Sequence, residues 1–261
     1  MSEILEIGFK IEEFASLKKP PKRLWYKGDL SLLKRPKISI VGSRRPIQYT
    51  QKIVKELASK LSKRGVVVVS GGAMGVDALA HSGAGFKNTI AVMANGLDIH
   101  YPAVNRKIIE SIEDEGLTLS QFEVGQRASK WSFVVRNELV VALGEKVIIA
   151  QADINSGSIR SAEYALKMGK EIFVLPHRLG ESQGTNQLLK EGLAKPIYSI
   201  DEFVFEYGKE VEDDIPKDDF FYFCQKSPTF EEAVAKFGSK VYEAELEGLI
   251  EIINGCVELK I

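Results

Sequence analysis

The stretch Val66–Gly75, VVVVSGGAMG, indicates the fold most directly, because a run of four valines ends at a glycine-rich loop. Valine-rich runs favour β-strands. A run that is apolar throughout, rather than at alternate positions, is typical of a strand that is covered on both faces. The residues that follow, Val76–Gly83, have a helical pattern. The stretch therefore predicts a buried strand, a tight turn and a helix.

The same alternation of apolar runs and amphipathic stretches continues on both sides of this segment. Strands are predicted at Lys37–Gly42, Val66–Ser70, Thr89–Ala94, Leu117–Ser120, Lys146–Ala150 and Glu171–Leu175. Helices are predicted from Pro46 onward and at Val76–Gly83, Asn105–Glu113, Phe133–Leu143 and Ser158–Met168. Strands that alternate with helices at this spacing form βαβ units. We therefore predict an α/β fold with a doubly wound, mostly parallel sheet.

The last part of the chain differs in charge and in pattern. Residues 201–261 contain 16 acidic and 6 basic residues, a net charge of −10, whereas residues 1–200 have a net charge of +9. An acidic, proline-containing stretch without apolar periodicity is typical of a linker. Three short helical patterns and an apolar hairpin follow it, at Phe220–Gln225, Thr229–Phe237, Tyr242–Ile250 and Glu251–Ile261. We predict a main domain at 1–206, an acidic linker at 207–219 and a winged-helix-like domain at 220–261.

Composition places the chain among ordinary globular proteins, since 44% of its 261 residues are hydrophobic and 27% are charged. The two cysteines, Cys224 and Cys256, are too few for a disulfide framework, which favours a cytoplasmic location. The acidic N-terminus does not resemble a secretory signal, and no apolar run is long enough to span a membrane. The unequal distribution of charge has two explanations. Either the basic larger part attracts a polyanion, or the charges only keep the protein soluble.

Small residues follow several of the predicted strands. In an open parallel sheet, ligands bind outside the carboxyl ends of the strands. The residues at those ends are Gly42-Ser43, Ser70-Gly71-Gly72, Asn95-Gly96 and Ser156-Gly157-Ser158. Glycine lets backbone N–H groups approach a phosphate, and a helix N-terminus adds positive potential. One such loop is more often only a tight turn, but four on one edge favour an anion site.

Basic residues and one aromatic residue lie beside these loops. Arg44 and Arg45 come directly after the first predicted strand, and Lys130, Phe133 and Arg136 recur at three-residue spacing across a predicted loop-to-helix junction. A nucleobase could stack on Phe133 while Lys130 and Arg136 meet the flanking phosphates. The alternative is that Phe133 belongs to the core and Lys130 is an ordinary surface charge.

The sequence offers no catalytic or metal-ligating arrangement. His81, His100 and His177 are scattered without metal-ligand spacing, and both cysteines are distant from them. A GxGxxG fingerprint and the Gly-Lys-Ser/Thr ending of a P-loop are both absent. We therefore expect no metal, no dinucleotide cofactor, no ATP hydrolysis and no enzymatic activity.

These residues lie within longer motifs that resemble the DprA/Smf family of DNA-processing proteins. The motifs stand in the family's order between Ile38 and Gly192: IVGSRR (40–45), SGGAMGVDALAH (70–81), NGLDIHYPAVN (95–105), FVVRN (133–137), SGSIRSAEYA (156–165), VLPH (174–177) and GTNQLL (184–189). Each motif is weak by itself, but the ordered set is highly specific.

The resemblance implies an extended Rossmann-like domain that binds single-stranded DNA in a basic pocket. It also implies a homodimer that protects incoming strands and loads the recombinase RecA during natural transformation. Because the winged-helix-like unit is acidic, a role toward other competence proteins is favoured over duplex binding. The candidate DNA-binding residues are Gly42, Ser43, Arg44, Arg45, Ser70, Gly71, Gly72, Lys130, Phe133, Arg136, Asn137, Ser156, Gly157 and Ser158.

The chain departs from the family pattern at two positions. Gln121 follows Ser120 where the family usually has glutamate, and Glu138 follows Asn137 where it usually has arginine. The second departure reverses a charge beside the candidate site. The helical N-terminal domain of longer members is not expected, because the first predicted strand begins at Lys37.

A rival resemblance is enzymatic. The segments Ser70–Gly75 and Asn155–Glu163 are also similar to nucleoside monophosphate phosphoribohydrolases of the LOG group, which act through a glutamate and an arginine. Glu163 stands at the position of that glutamate, and Arg136 could supply the arginine. The motif's proline, second glycine and threonine are replaced here, by Asn155, Ile159 and Arg160. The hydrolase is therefore the alternative to DNA binding.

Overall fold

A mostly parallel sheet forms the centre of the larger part of the chain in a computed structural model, which describes residues 3–209, 219–224, 227–253 and 255–259. The chain divides into two units, Met1–Val211 and Glu212–Ile261. Most of the predicted linker, 207–219, lies outside the described residues.

The described part of the first unit contains nine strands in one sheet. The strands are β1 Leu5–Glu6, β2 Trp25–Gly28, β3 Lys37–Val41, β4 Val67–Ser70, β5 Thr89–Val92, β6 Leu117–Ser120, β7 Lys146–Ile149, β8 Ile172–Val174 and β9 Lys195–Pro196. Their order across the sheet is β1-β2-β6-β5-β4-β3-β7-β8-β9. Pairing is antiparallel between β1 and β2 and between β2 and β6, and parallel from β6 to β9.

Helices connect these strands. They are α1 Gln48–Lys63, α2 Val76–Ala84, α3 Arg106–Glu115, α4 Lys130–Leu143, α5 Gly157–Lys167, α6 Gln183–Lys190 and α7 Ile200–Phe205. Short 3-10 turns occur at Glu12–Ser16, Leu30–Lys34, Phe86–Asn88 and Ala103–Asn105. The first helix begins two residues later than Pro46 suggested, because Ile47 is its N-cap residue.

The valine run is buried on both faces of the sheet, as its continuous apolar character predicted. Val67 and Val69 pack in one core with residues of α4 and α5, whereas Val68 packs in a second core with residues of α1 and α2. Both cores consist almost entirely of aliphatic side chains. Helices on both faces make this the doubly wound α/β fold that the sequence predicted.

The strand order reverses between β3 and β7. From β3 the chain proceeds to β4, β5 and β6 on one side, and it later returns to β7, β8 and β9 on the other. Connections that leave β3 and β7 in opposite directions open a crevice at the carboxyl ends of these two strands. The fold therefore places residues 42–45 beside residues 151–158.

All six predicted strands are present; Leu117–Ser120 has the predicted bounds, and the other five are one or two residues shorter. The expectation that the first strand begins at Lys37 was wrong, because β1 and β2 precede it and extend the sheet beyond β6. The missed strands β1, β2 and β9 read LE, WYKG and KP, so they lack the apolar runs that indicated the other strands. Their structure comes from pairing with a neighbouring strand rather than from local pattern.

The described part of the second unit contains three helices followed by a hairpin. The elements are α8 Asp219–Cys224, α9 Phe230–Phe237, α10 Lys240–Leu246, β10 Ile250–Ile253 and β11 Cys256–Leu259. A small core buries Phe220, Phe221 and Val257. This element order agrees with the predicted one, and the winged-helix assignment itself stays a prediction. Gln225, Asn254, Lys260 and Ile261 of the predicted elements lie outside the described residues.

The third helix of this unit ends earlier than its pattern suggested. It was predicted to run to Ile250, but it ends at Leu246 because Gly248 has a φ of +74° and β10 begins two residues later. A left-handed glycine after the last turn is a common helix ending.

Among the helices of the described residues, none is long and apolar enough to cross a membrane.

Contacts of Arg64 predict that the first unit extends to residue 209. Arg64 donates to the carbonyl of Tyr207 at 2.8 Å and accepts from the N–H of Lys209 at 3.1 Å, and Tyr207 packs 4.9 Å from Phe203. We expect a fragment 1–209 to unfold cooperatively and a fragment 1–206 to be less stable by about 1–3 kcal/mol. Urea unfolding of both fragments measures the difference. Equal stabilities would contradict this boundary.

Candidate nucleic-acid interface

A pocket of about 560 Å³ lies in the crevice between β3 and β7. Three segments surround it: the loop after β3, the first turns of α4, and the loop that leads into α5. Eleven of the predicted site residues line it, namely Gly42, Ser43, Arg44, Gly71, Lys130, Phe133, Arg136, Asn137, Ser156, Gly157 and Ser158. The structure thus brings together residues from four separate motifs.

The loop after β3 is held in place by backbone hydrogen bonds. The N–H of Ser43 donates to the carbonyl of Gln151 at 2.8 Å, and the carbonyl of Ser43 accepts from Val76 at 3.1 Å. A side chain on Gly42 would meet Val76, since its Cβ would lie 2.7 Å from a Val76 methyl group. The loop therefore packs tightly against the start of α2, and Arg44 next to it is exposed at the pocket rim.

Helix α4 begins three residues earlier than predicted, at Lys130. A capping box explains the difference, because the side chains of Ser129 and Ser132 each accept from the other's backbone N–H, at 3.2 and 2.8 Å. The sequence gave little indication of this cap, because a serine occupies the position that is usually glutamate or glutamine. Lys130, Phe133 and Arg136 consequently all lie on one helix rather than across a junction.

Arg136 is a buried residue, with 3% of its surface exposed. Its Nη1 donates to the carbonyl of Val92 at 2.9 Å and to the carbonyl of Gly71, so the guanidinium joins α4 to the ends of β4 and β5. The expectation that Arg136 reaches out to a flanking phosphate is therefore not matched by its position. It lines the pocket floor as a fixed positive charge.

A carboxylate and a glycine accommodate this buried cation. The Asp77 side chain is buried and accepts from the N–H of Ala73 at 3.3 Å. Burial raises the pKa of the Asp77 carboxyl, and the charge of Arg136 opposes that rise. A Cβ on Gly71 would lie 2.8 Å from the Asp77 carboxylate and closer still to the Arg136 guanidinium. Glycine at position 71 thus leaves room for the guanidinium, which a larger residue would have to displace.

Phe133 lies between charged and aromatic neighbours at the pocket. The guanidinium carbon of Arg44 is 5.1 Å from its ring centroid, that of Arg136 is 5.8 Å away, and the Tyr101 ring is 5.9 Å away. The side chain is half-buried and lines the pocket. The interpretation of Phe133 as a simple core residue is therefore disfavoured.

The N-terminus of α5 faces the same pocket. Ser156 is the N-cap residue and accepts from the N–H of Ile159 at 3.4 Å. Space beside Gly157 is open, and Ser158 also lines the pocket. The first-turn N–H groups and the dipole of an eleven-residue helix favour an anion at this position.

Positive charge predominates along the pocket wall. Among the lining residues are Arg44, Lys130, Arg136 and Arg160, against the carboxylates of Asp77 and Asp153. Sequence reasoning missed Arg160 as a site residue, although its place one turn after Gly157 on α5 was a usable signal. A surface of this composition is suited to a polyanion.

Three predicted residues lie outside the pocket lining. The Ser70 hydroxyl donates to the carbonyl of Ile40 at 2.6 Å within the sheet, and Ser70 is fully buried. Gly72 is buried beside Met93, and its carbonyl accepts from Asn105. Arg45 is exposed beyond the rim. The Ser70–Gly72 loop therefore mainly supports the residues that line the pocket.

The departures from the family pattern also lie outside the lining. Glu138 is half-buried on the side of α4 toward Tyr164, whose pKa is raised by burial and by the Glu138 charge. Gln121 is half-buried after the end of β6. The charge reversal at Glu138 therefore does not place a carboxylate in the pocket.

Histidines do not contribute to this site. His81 is fully buried, its Nδ1 lies 2.6 Å from the Thr89 hydroxyl, and burial lowers its pKa to about 3. His177 is tied to Thr50 and the carbonyl of Leu175. Within the described ranges, no group of three or more His, Cys, Asp or Glu residues is arranged to hold a metal ion.

The close packing at Gly71 predicts a specific sensitivity. Gly71→Ala displaces the guanidinium of Arg136, and we expect the free energy of unfolding to fall by about 1–3 kcal/mol. Gly157→Ala is the matched control, because the added methyl group meets open space and we expect the free energy of unfolding to stay the same or to rise slightly. Chemical denaturation measures both variants, and equal effects would contradict the close packing at position 71.

Comparison with known proteins supports the motif resemblance. The sequence model of the family described as "DNA recombination-mediator protein A" matches residues 11–208. The chain is 38% identical over 192 residues to DNA processing protein DprA of Streptococcus pneumoniae, covering 72% of this chain and 67% of that protein. It is 36% identical over 197 residues to DprA of Bacillus subtilis, covering 73% and 65%. The chain thus spans about two thirds of the length of these relatives.

A solved structure supports the same resemblance. DNA processing protein A from Helicobacter pylori, whose structure is described in terms of its single-stranded DNA binding mode, superimposes with a TM-score of 0.77 and 44% sequence identity. The match covers 79% of this chain and 97% of that one. The family model covers more than half of the chain, and relatives and structure agree with it. The chain therefore belongs to the DNA recombination-mediator protein A family, also called DprA/Smf.

Proposed function

We propose that this chain binds single-stranded DNA in the pocket between β3 and β7. The observation that carries the proposal is that Phe133, the cations Arg44 and Lys130, and the N-terminus of α5 all line one crevice. Aromatic rings stack with bases of any sequence, and basic side chains with helix N-termini hold phosphates. A pocket that combines an aromatic ring with phosphate-binding groups suits a nucleic-acid strand better than an isolated anion.

The preference for single strands follows from the placement of Phe133. A ring that is half-buried within a pocket can be reached only by a base that is not stacked inside a duplex. The relative from Helicobacter pylori is described as binding single-stranded DNA, which agrees with this argument. Readout of base sequence is not required, because stacking and phosphate contacts are both tolerant of sequence.

The alternative phosphoribohydrolase receives little support from the site. Glu163, which would act as the catalytic carboxylate, is exposed on α5 and does not line the pocket. Arg136, which would act with it, donates to two backbone carbonyls. Catalytic groups need to lie within reach of the same substrate atoms. We therefore propose a binding protein without catalytic activity or cofactor.

The wider role that we propose rests on family membership. It includes homodimerisation, protection of incoming single strands and loading of RecA during natural transformation. Acidic residues on α10, among them Glu243 and Glu245, favour a protein partner over duplex DNA for the second unit. Competence proteins are the partner class proposed for that unit.

Removal of Arg44 tests the phosphate contacts. Arg44→Ala should weaken single-strand binding similarly for all sequences and reduce the slope of log affinity against log salt by about 1. Arg45→Ala is the matched control, since Arg45 is also exposed but lies outside the pocket. Fluorescence anisotropy over a salt series measures both. An unchanged slope for Arg44→Ala would remove Arg44 from the phosphate contacts.

Removal of the Phe133 ring tests base stacking. Phe133→Ala should cost about 1–3 kcal/mol of single-strand binding while leaving the fold intact. Trp131→Ala is the matched control, because Trp131 is 63% exposed on the same helix but does not line the pocket. Anisotropy gives the affinities and circular dichroism the folding of each variant. A Phe133→Ala protein that binds normally would exclude stacking on this ring.

A further inference from the structure

Residues 18–23, which read KKPPKR, form a basic loop between the first 3-10 turn and β2. The loop contains four cationic side chains and no acidic one, and Lys18, Lys19, Lys22 and Arg23 are all exposed. We propose that this basic loop is a phosphate-binding surface outside the pocket, which contacts the backbone of a single strand after the strand leaves the pocket. This inference rests on the proposed binding of single-stranded DNA and extends it to a second part of the protein.

Both ends of the basic loop are fixed in the core. Leu17 before the loop and Leu24 after it are 7% and 6% exposed, and they belong to the same hydrophobic cluster. Pro20 and Pro21 stand in the middle of the loop, where each proline ring restricts the backbone. A segment that is held at both ends and stiffened between them loses little freedom when it binds a ligand. The cations therefore stand on a constrained backbone.

Strand pairing brings the end of the basic loop to the edge of the sheet at which the pocket lies. In β2, Trp25 stands opposite Ser120, the last residue of β6. Strand β6 belongs to the parallel part of the sheet, so its last residue marks the carboxyl edge. Because β2 is antiparallel to β6, the chain enters β2 from this edge. The basic loop and the pocket therefore share one edge of the sheet.

Side-chain contacts connect the basic loop to the pocket. The Nη1 atom of Arg23 lies 3.3 Å from a carboxylate oxygen of Glu123, in the segment between β6 and α4. The Phe122 ring, next to Glu123, lies 5.8 Å from the ring of Trp131 on α4. Trp131 follows Lys130, which lines the pocket. A continuous surface therefore leads from the basic loop, over the end of β6 and the start of α4, to the pocket.

The acidic residues around the basic loop are compensated. Arg23 pairs with Glu6 and with Glu123, at 2.7 and 3.3 Å. Glu13, upstream of the loop, pairs at 2.7 Å with Lys37, which begins β3 at the opposite edge of the sheet. Within the described residues, the three lysines of the loop have no carboxylate at ion-pair distance. Free cations of this kind attract phosphates whatever the base sequence.

The distance between the two surfaces separates their contributions. In the sheet, four strand spacings lie between β2 and β3, or about 19 Å. A strand that only fills the pocket does not reach the basic loop, whereas a strand of more nucleotides does. The lysines of the loop should therefore affect the binding of long strands and leave the binding of short strands unchanged.

The test compares a short and a long oligo-dT, of about 6 and about 20 nucleotides, by fluorescence anisotropy with the full chain over a salt series. The variant Lys18→Ala/Lys19→Ala/Lys22→Ala should bind the long strand roughly 10- to 100-fold more weakly at low salt, and its slope of log affinity against log salt should fall by about 2. It should bind the short strand within twofold of the wild type. Replacement of the same three lysines by arginine should leave long-strand binding within twofold of the wild type.

The matched control is Lys34→Ala/Lys63→Ala/Lys167→Ala, which removes the same charge from exposed lysines at the opposite edge of the sheet. We expect the control to bind the long strand within twofold of the wild type, and circular dichroism checks the folding of each variant.

Three results would overturn the role of the basic loop: wild-type affinity of the loop variant for the long strand, equal losses of affinity for both strands, or an equal loss in the control. Each of them, with the short strand still bound by the wild type, leaves the proposed function standing. Absence of binding of both strands by the wild-type chain would instead overturn the proposed function together with the basic loop.

Discussion

A buried guanidinium fixes the position of the candidate site. Arg136 donates to the carbonyls of Gly71 and Val92, next to the ends of two adjacent parallel strands, and it does so from a helix whose later residues pack against one face of the sheet. Removing such a cation from water is costly unless charges and acceptors compensate it. Asp77 and the two carbonyls supply that compensation. Since Lys130 and Phe133 lie on the same helix, the contacts of Arg136 determine where these residues stand.

The same arrangement explains why glycine-rich motifs flank the pocket. Gly71 leaves room for the guanidinium, and Gly42 leaves room for the side chain of Val76. The motif around Ser70 is therefore chiefly a support, whereas the motif at Ser156–Ser158 presents a capped helix N-terminus to the pocket. Two segments that look alike in sequence thus perform different tasks. Only the second has the open space that a phosphate needs.

Much of this architecture could be predicted from sequence, for identifiable physical reasons. Strands β3 to β8 are buried and mostly apolar, so their composition alone indicates them, and the strand order then places Arg44 near Ser156. The short strands β1, β2 and β9 could not be predicted, because pairing with neighbours rather than local pattern creates them. The burial of Arg136 was also hidden, since an arginine in a basic motif has the same sequence signal whether it faces solvent or carbonyls. The contact between Tyr101 and Phe133 was hidden too, because it arises from tertiary structure.

The most direct test of the account is competition between single-stranded and duplex DNA for the purified chain. A labelled single-stranded oligonucleotide is bound at low salt and displaced with unlabelled strand or with duplex of the same sequence. The account predicts that unlabelled strand competes efficiently, that duplex competes poorly, and that affinity falls steeply with salt. Absence of binding at low salt, or equal competition by duplex, would contradict the assignment of the pocket to single-stranded DNA.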